Sequence, residues 1–219
     1  MQILPWRVKN FLSESFPLLY HLAVNAGKGG GNSAEHWDRR LAETWDGGVR
    51  EWPKKTALIA SLVPPDAALI DIGCGNGGIL RGLKQLGFSD LHGLEISDYA
   101  VNRLASEGIQ MHKGVLPRIE LPDNRFDVLV ASQVLEHIIR RRFFVREMHR
   151  ILKPGGQALI FVPDRCLGPI DEPEHVVMFN PTSLRRELEA SFVVDEVRTI
   201  KDDNHVMPIL FARVSKKAH

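Results

Sequence analysis

LIDIGCGNGG, Leu69 to Gly78, is a short apolar run that ends in four glycines, Gly73, Gly75, Gly77 and Gly78. Glycine adopts positive φ without steric cost and lets a ligand approach the backbone where a Cβ would collide. A strand ending in such a cluster therefore reads as a binding loop. Ile79, Leu80, Leu83 and Leu86 then recur at helical spacing until Gly87 stops the helix. Gly73, Gly75 and Gly78 also satisfy the pattern G-x-G-x-x-G, and Glu95 stands 22 residues beyond Gly73, where that pattern places a ribose-binding acid. The bare pattern leaves open a nicotinamide dinucleotide, another adenosine cofactor, or a tight loop that holds no ligand. Asp71, two residues before the first glycine, favours a cationic ligand group or a role in anchoring the loop, because a pyrophosphate avoids a carboxylate.

Outward from this loop, strands and helices alternate. Leu91 to Ile96 reads as a second strand, and Ala100, Val101, Leu104 and Ala105 mark a helix ending at Gly108. Ile109 to His112 is a short third strand and Phe126 to Ala131 a buried fourth. A helix reaching Leu152 follows, then a turn at Lys153 to Gly156 and a fifth strand, QALIFVP. Such alternation implies parallel strands with right-handed crossovers and ligands at the carboxyl ends of the strands. Asn180-Pro181 opens a late helix, and FVVDEVRTI and MPILFARVS form an antiparallel pair around the turn-like DDNH. The expected fold is α/β: one doubly wound, Rossmann-like domain with a mostly parallel seven-stranded sheet, an antiparallel C-terminal hairpin and an N-terminal helical arm. The arm is residues 1–35 and the domain 36–219, divided into covering helices at 36–66, a cofactor-binding core at 67–165, and a substrate-side loop, late helix and hairpin at 166–219. Trp37, Leu41 and Trp45 lie on one face of the first covering helix, ended by Gly47-Gly48, and a second helix covers Pro53 to Leu62. The arm, with GKGGGN at Gly27 to Asn32, is expected to pack on the domain, the alternatives being an amphipathic cover for a pocket or a weak membrane-surface element. Its apolar residues Phe11, Leu12, Phe16, Leu18 and Leu19 are otherwise a homodimer contact.

The 219 residues carry 28 Lys plus Arg against 27 Asp plus Glu, so no charge excess marks a nucleic-acid binder. Two cysteines, Cys74 and Cys166, make no disulfide framework, and no Cys/His spacing requires a metal; a cytoplasmic location is expected. The apolar stretches are too short for an integral membrane segment, and the opening MQILPWRVKNFL lacks the features of a signal peptide.

Four segments in order, LIDIGCGNG, GLEIS, FDVLVASQVLEHI and REMHRILKPGGQALIFVP, resemble the class I methyltransferases that use S-adenosylmethionine; the likeness runs from about Trp37 to the C-terminus. The resemblance implies that Asp71, Gly73, Cys74, Gly75, Asn76 and Gly77 cradle the methionine part of the cofactor. Glu95 would accept hydrogen bonds from the ribose hydroxyls, and Ile96 would flank the adenine. The family often carries Gly-Asp after strand three, whereas Val115 follows Gly114 here, so adenine contacts fall to backbone groups of Val115 and Leu116. Ser132 and Gln133 match positions facing cofactor and substrate. The segment EHWDRRL resembles the helix that closes over the cofactor in the small-molecule branch, which includes quinone-biosynthesis methyltransferases. Trp37 there either offers a π face to the sulfonium or serves as a core residue.

A methyl acceptor that is a hydroxyl or a protonated amine needs a base. His137 and Glu136, just past strand four, are the first candidates and His175 the second, each with the plainer alternative of a helix-start or loop role. Arg140-Arg141-Arg142 is a solvated face or a contact for an acidic substrate. The expected activity is methyl transfer from S-adenosylmethionine to oxygen or nitrogen of a small-molecule acceptor. The alternatives are a non-catalytic cofactor-binding or partner protein, a protein methyltransferase and, further off, an NAD-dependent oxidoreductase.

Overall fold

The first strand, β1 (Leu69–Ile72), is buried along its whole length, and its alternating side chains divide the interior into two layers. Ile70 and Ile72 face one layer with Leu129, Ile160 and Val162, while Leu69 faces the other with Val130, Leu159 and Phe161. In the computed structural model, residues 33–46, 51–164, 175–201 and 208–217 are described, together with positions 8, 11, 12, 15, 16 and 19. Most of the N-terminal arm, including Gly27 to Asn32 and Leu18, lies outside them, as do Gly47-Gly48, Cys166 and the DDNH turn. Phe11, Phe16 and Leu19 are exposed.

The chain runs α1 (Ala34–Asp46), α2 (Pro53–Leu62), β1, α3 (Gly78–Gln85), β2 (Leu91–Glu95), α4 (Asp98–Ser106), β3 (Gln110–Lys113) and β4 (Phe126–Ser132). A 3-10 turn (Leu135–His137), α5 (Arg141–Ile151), β5 (Leu152–Pro163), α6 (Pro181–Glu189), β6 (Val193–Ile200) and β7 (Ile209–Ser215) complete it. The sheet order is β3-β2-β1-β4-β5-β7-β6. β1 to β5 are parallel, and β7 runs antiparallel between β5 and β6. The order reverses between β1 and β4, so the loops leaving these two strands diverge and open a crevice at their carboxyl ends.

Each covering helix buries one apolar stripe. α5 seals one layer with Phe144, Val145, Met148 and Ile151, and α6 adds Leu184 and Leu188. α6 starts where Asn180-Pro181 predicts, with Asn180 accepting from Ser183 N at 2.8 Å in a reciprocal capping box. On the other layer α2, α3 and α4 contribute Ile59, Leu80, Leu83 and Leu104. α1 docks on α4 through Asp38, which accepts from Ser97 Oγ and from Tyr99 N. That contact holds Trp37, Arg40 and Leu41 over the crevice.

Four details differ from the sequence reading. Lys153 to Gly156 is a bulge within β5, not a separate turn: Phe126 pairs with Leu152 but Val128 with Gln157, and the looped-out backbone bonds Lys216 instead. The helix expected straight after β4 is broken into the 3-10 turn and α5, because the Glu136 carbonyl accepts from Val176 N and Val177 N rather than continuing a helix. Leu86 caps α3 and is exposed, outside its buried stripe. Arg141 points at α6, 3.6 Å from Glu187, so the middle of the arginine run joins two helices and is not a solvated face.

Candidate functional site

The crevice between β1 and β4 is a cavity of about 390 Å³, within the usual range for a small-molecule site. Its floor is the glycine loop. Gly75 has φ of 53°, and a Cβ built on it meets only Leu41 at 3.8 Å, so the left-handed backbone rather than crowding demands glycine, and the space beyond belongs to the cavity. Gly73, Cys74 and Asn76 line the same floor. Gly77 does not. It faces away, where a Cβ would come within 2.4 Å of Leu104, so its part is to let α3 pack on α4. Arg81 steadies the loop from behind by donating to the Asn76 carbonyl while pairing with Glu107.

Glu95, at the end of β2, is folded into this loop. Its Oε2 accepts from Gly75 N at 2.8 Å and its Oε1 from Ile96 N at 2.8 Å and Ser97 N at 3.2 Å. A carboxylate has about four acceptor sites, so capacity remains for a ligand hydroxyl. Burial pushes its pKa up, against the three backbone bonds. Ile96, Val115 and Leu116 line the wall beside it, and Val115 is largely exposed at the rim.

Asp71 is 2 % exposed, and its Oδ1 has no hydrogen-bond partner among the described residues. Burial raises its pKa to about 8, with attraction from Lys55 opposing and repulsion from Glu95 adding. A buried carboxyl left unpaired beside a cavity is completed by a cationic group of a ligand, as the ammonium of S-adenosylmethionine would do. The Cys74 thiol is buried and its pKa is pushed well above the usual value, which makes it inert as a nucleophile.

The opposite wall comes from β4. Gln133 takes φ of 60°, uncommon for a residue with a side chain, and its Nε2 is buried without a partner among the described residues. Ser132 Oγ accepts at 3.0 Å from Lys55 Nζ. Lys55 is fully buried, with its ammonium 4.1 Å from the Trp52 ring centroid and 5.6 Å from that of Phe161. The sequence reading missed Lys55; a lysine in the first turn of a helix carries no sign that it points inward.

Also lining the cavity, Trp37, His137 and His175 form an edge-to-face series, with centroids 5.8 Å and then 4.8 Å apart. Arg40 lies over Trp37 at 5.4 Å, so a cation of the protein itself already uses that ring. His175 is pulled down to about 3 by burial, helped by His137 and Arg40, which makes it neutral and a weak proton acceptor. Glu136 stands behind the wall, 1 % exposed; burial raises its pKa to about 8, and neither oxygen has a hydrogen-bond partner among the described residues. The structure thus gathers Trp37, Asp71, Gly73, Cys74, Gly75, Asn76, Glu95, Ile96, Val115, Leu116, Ser132, Gln133, His137 and His175 around one cavity, and leaves Gly77 and Glu136 outside its lining.

Comparison with known proteins agrees with this geometry. Residues 70–160 match the family model described as a methyltransferase domain. A sterol 24-C-methyltransferase of Neurospora crassa is 32% identical over 104 residues, which is 43% of this chain and 27% of that protein. A ribosomal protein L11 methyltransferase of Desulforapulum autotrophicum is 30% identical over 113 residues, 48% of this chain and 36% of that protein. The matches thus span only about a quarter to a third of these relatives' own length. The crystal structure of the [4+2]-cyclase SpnF superposes with a TM-score of 0.70 at 16% identity, over 85% of this chain and 95% of that one. The sheet order, the glycine cradle and the matched segment agree: residues 70–160 are similar to a methyltransferase domain, and the fold is that of its solved relatives.

Proposed function

We propose that the chain moves a methyl group from S-adenosylmethionine to an oxygen or nitrogen of a small-molecule acceptor. The observation that carries this reading is one cavity lined both by Asp71, whose buried Oδ1 lacks a partner among the described residues, with Glu95 beside the glycine loop, and by His137 and His175. Asp71 holds the cationic methionine portion, Glu95 the ribose, and Ile96 with Val115 and Leu116 the adenine. When bound, S-adenosylmethionine supplies a methyl group on a positively charged sulfur. The residues after β4 then fix the direction of approach: an in-line displacement gains most of its rate from alignment, and Ser132 and Gln133 lie on a strand end held by Lys55. His137 stands at the acceptor end and takes the proton of a hydroxyl or ammonium acceptor, while His175 holds its ring edge-on.

Trp37, Arg40 and Trp52 close the cavity from the side of α1 and α2, which suits a compact acceptor better than a protein loop or a nucleic acid. The near-even charge of the chain also speaks against nucleic acid. Among the described residues no helix is long and apolar enough to cross a membrane, and we place the reaction in the cytoplasm. The second reading is a cavity that binds the cofactor without methyl transfer, because a fold does not by itself fix the reaction.

Two measurements separate these readings. Thermal unfolding with S-adenosylmethionine, S-adenosylhomocysteine and NADH should show stabilisation by the two S-adenosyl compounds alone, roughly 2.7 kcal/mol at about 100 times the dissociation constant, and loss of the effect in Glu95→Ala. Formation of S-adenosylhomocysteine with a panel of phenols, amines and carboxylic acids then tests transfer. Stabilisation by NADH alone would refute the cofactor assignment, and cofactor binding with no turnover on any acceptor class would favour the second reading.

A further inference from the structure

The acceptor end of the cavity holds a cluster that no spacing in the sequence foretells. Glu136, His137 and His175 bring one ligand atom each to within 4.8 Å of one another, although 38 positions separate His137 from His175 in the chain. The fold makes the contact: Val176 N, next to His175, donates at 2.8 Å to the Glu136 carbonyl and clamps the late loop against the 3-10 turn. His137 and His175 line the cavity, and Glu136 lies behind them.

The glutamate is the telling member. Both its carboxylate oxygens are buried and neither accepts a hydrogen bond from any described residue. Lys55 attracts it electrostatically without bonding to it. A buried carboxylate is costly to leave so, and a cation is what completes it. Two imidazoles beside it supply neutral nitrogen donors. Two histidines and one carboxylate with open positions suit zinc or a similar divalent transition ion, whereas magnesium and calcium prefer oxygen donors throughout.

We propose that Glu136, His137 and His175 form a binding site for one divalent transition-metal ion at the acceptor end of the cavity, facing a hydroxylated acceptor. A tetrahedral ion with bonds of about 2.1 Å keeps its ligands about 3.4 Å apart, so side-chain rotation by about an ångström closes the set. The cavity side supplies the remaining position, to be taken by the acceptor oxygen or by water. An ion there lowers the pKa of the acceptor's hydroxyl, so its proton leaves to solvent. The oxygen lone pair then forms the new C–O bond, and the C–S bond breaks with its electron pair remaining on sulfur. His137 is then a ligand and not the base, and metal content decides between these two roles. The use of the ion rests on the methyl-transfer reading; its binding does not.

The test uses the full chain, stripped with a chelator and dialysed against Zn²⁺ or Mg²⁺, with bound metal counted by mass spectrometry and Co²⁺ absorption as a probe of ligand geometry. One Zn²⁺ per chain is expected, with Mg²⁺ taken up much more weakly. His175→Ala and Glu136→Gln should each weaken Zn²⁺ binding by about 100-fold or more, while His112→Ala, whose ring stacks on His92 outside the cavity lining, leaves it unchanged. If Glu136→Gln fails to fold, His175→Ala and the Co²⁺ spectrum carry the test, since His175 comes from a loop. Uptake of no ion, or uptake that His175→Ala does not alter, overturns the proposal. Stabilisation of the chelated chain by S-adenosylhomocysteine is measured alongside, so a missing metal and a wrong cofactor give different results.

Discussion

Lys55 Nζ donates to Ser132 Oγ at 3.0 Å, joining the first turn of α2 to the carboxyl end of β4 across 77 positions of the chain. The ammonium has no exposure, and its field reaches both Asp71 and Glu136, opposing the rise in pKa that burial imposes on each. A single residue at the start of α2 therefore acts on two buried carboxyls at once, Asp71 on the cavity and Glu136 behind its wall.

Replacing Lys55 by Met keeps the apolar stem between Trp52 and Phe161 and removes the charge. Asp71 should then hold its proton to higher pH, so the pH profile of S-adenosylhomocysteine binding moves to the alkaline side. A shift of one pH unit corresponds to affinity about tenfold weaker at pH 7. Calorimetric titration at pH 7 and pH 9 reads the change, and equal loss at both pH values would mean that Lys55 acts through packing instead.

Asp71 predicts opposite pH effects on stability and on binding. Its folded pKa, about 8, lies above the ordinary aspartate value of 3.8, so between these values the folded state holds a proton that the unfolded state has lost. Stability from this group accordingly falls as pH rises from about 4 to about 8 and is level above that. Asp71→Asn removes this slope, and its melting temperature should gain on the parent as pH rises through that window. Binding behaves differently. The ligand ammonium, with an ordinary pKa of about 7.7 to 8.0, must be charged while Asp71 is ionised, so affinity should peak near pH 8 and Asp71→Asn should weaken it. A parent affinity that is flat from pH 6 to pH 9 would show that the two groups do not pair.

Gly77→Ala places a methyl within 2.4 Å of Leu104 at a φ of 73°, and both strain and overpacking result. The expected destabilisation is about 2 to 4 kcal/mol. Gly87→Ala is the control: it shares a positive φ, 89°, but its Cβ meets nothing within 4 Å, so the cost should be nearer 1 kcal/mol. Urea unfolding of the two variants measures the difference, which isolates the packing of α3 on α4 from backbone strain.

Gln133 stores strain at the site. Its positive φ and an Nε2 without a partner among the described residues should both cost stability, so Gln133→Gly is expected to raise unfolding free energy by up to about 1 kcal/mol while lowering the rate of methyl transfer. Denaturant midpoints and turnover measured on the same preparation test the pair; a variant that gains neither stability nor loses rate would make the conformation incidental.

The glycine-loop side of the cavity was legible because its geometry is local. Asp71, Gly73, Gly75 and Glu95 lie within 25 residues, and the constraint on each is a backbone conformation or a strand end that a short window of sequence expresses. Gly77 shows the limit of that reasoning: glycine is required there, but by Leu104 of the neighbouring helix and not by a ligand. The Lys153 to Gly156 segment shows it again, since a turn signal became a bulge once Lys216 was available to bond its backbone.

The sequence by itself determined the alternating order of strands and helices, the glycine cradle after β1, the acid after β2 and the N-terminus of α6, because periodicity, positive φ and capping depend on neighbours a few residues away. Only the tertiary structure decided that Lys55 is buried beside Ser132 and that His175 meets His137 and Glu136. Those contacts join residues 38 to 77 positions apart, and whether a lysine or histidine turns inward is set by which elements the sheet order brings together at the carboxyl ends of β1 and β4.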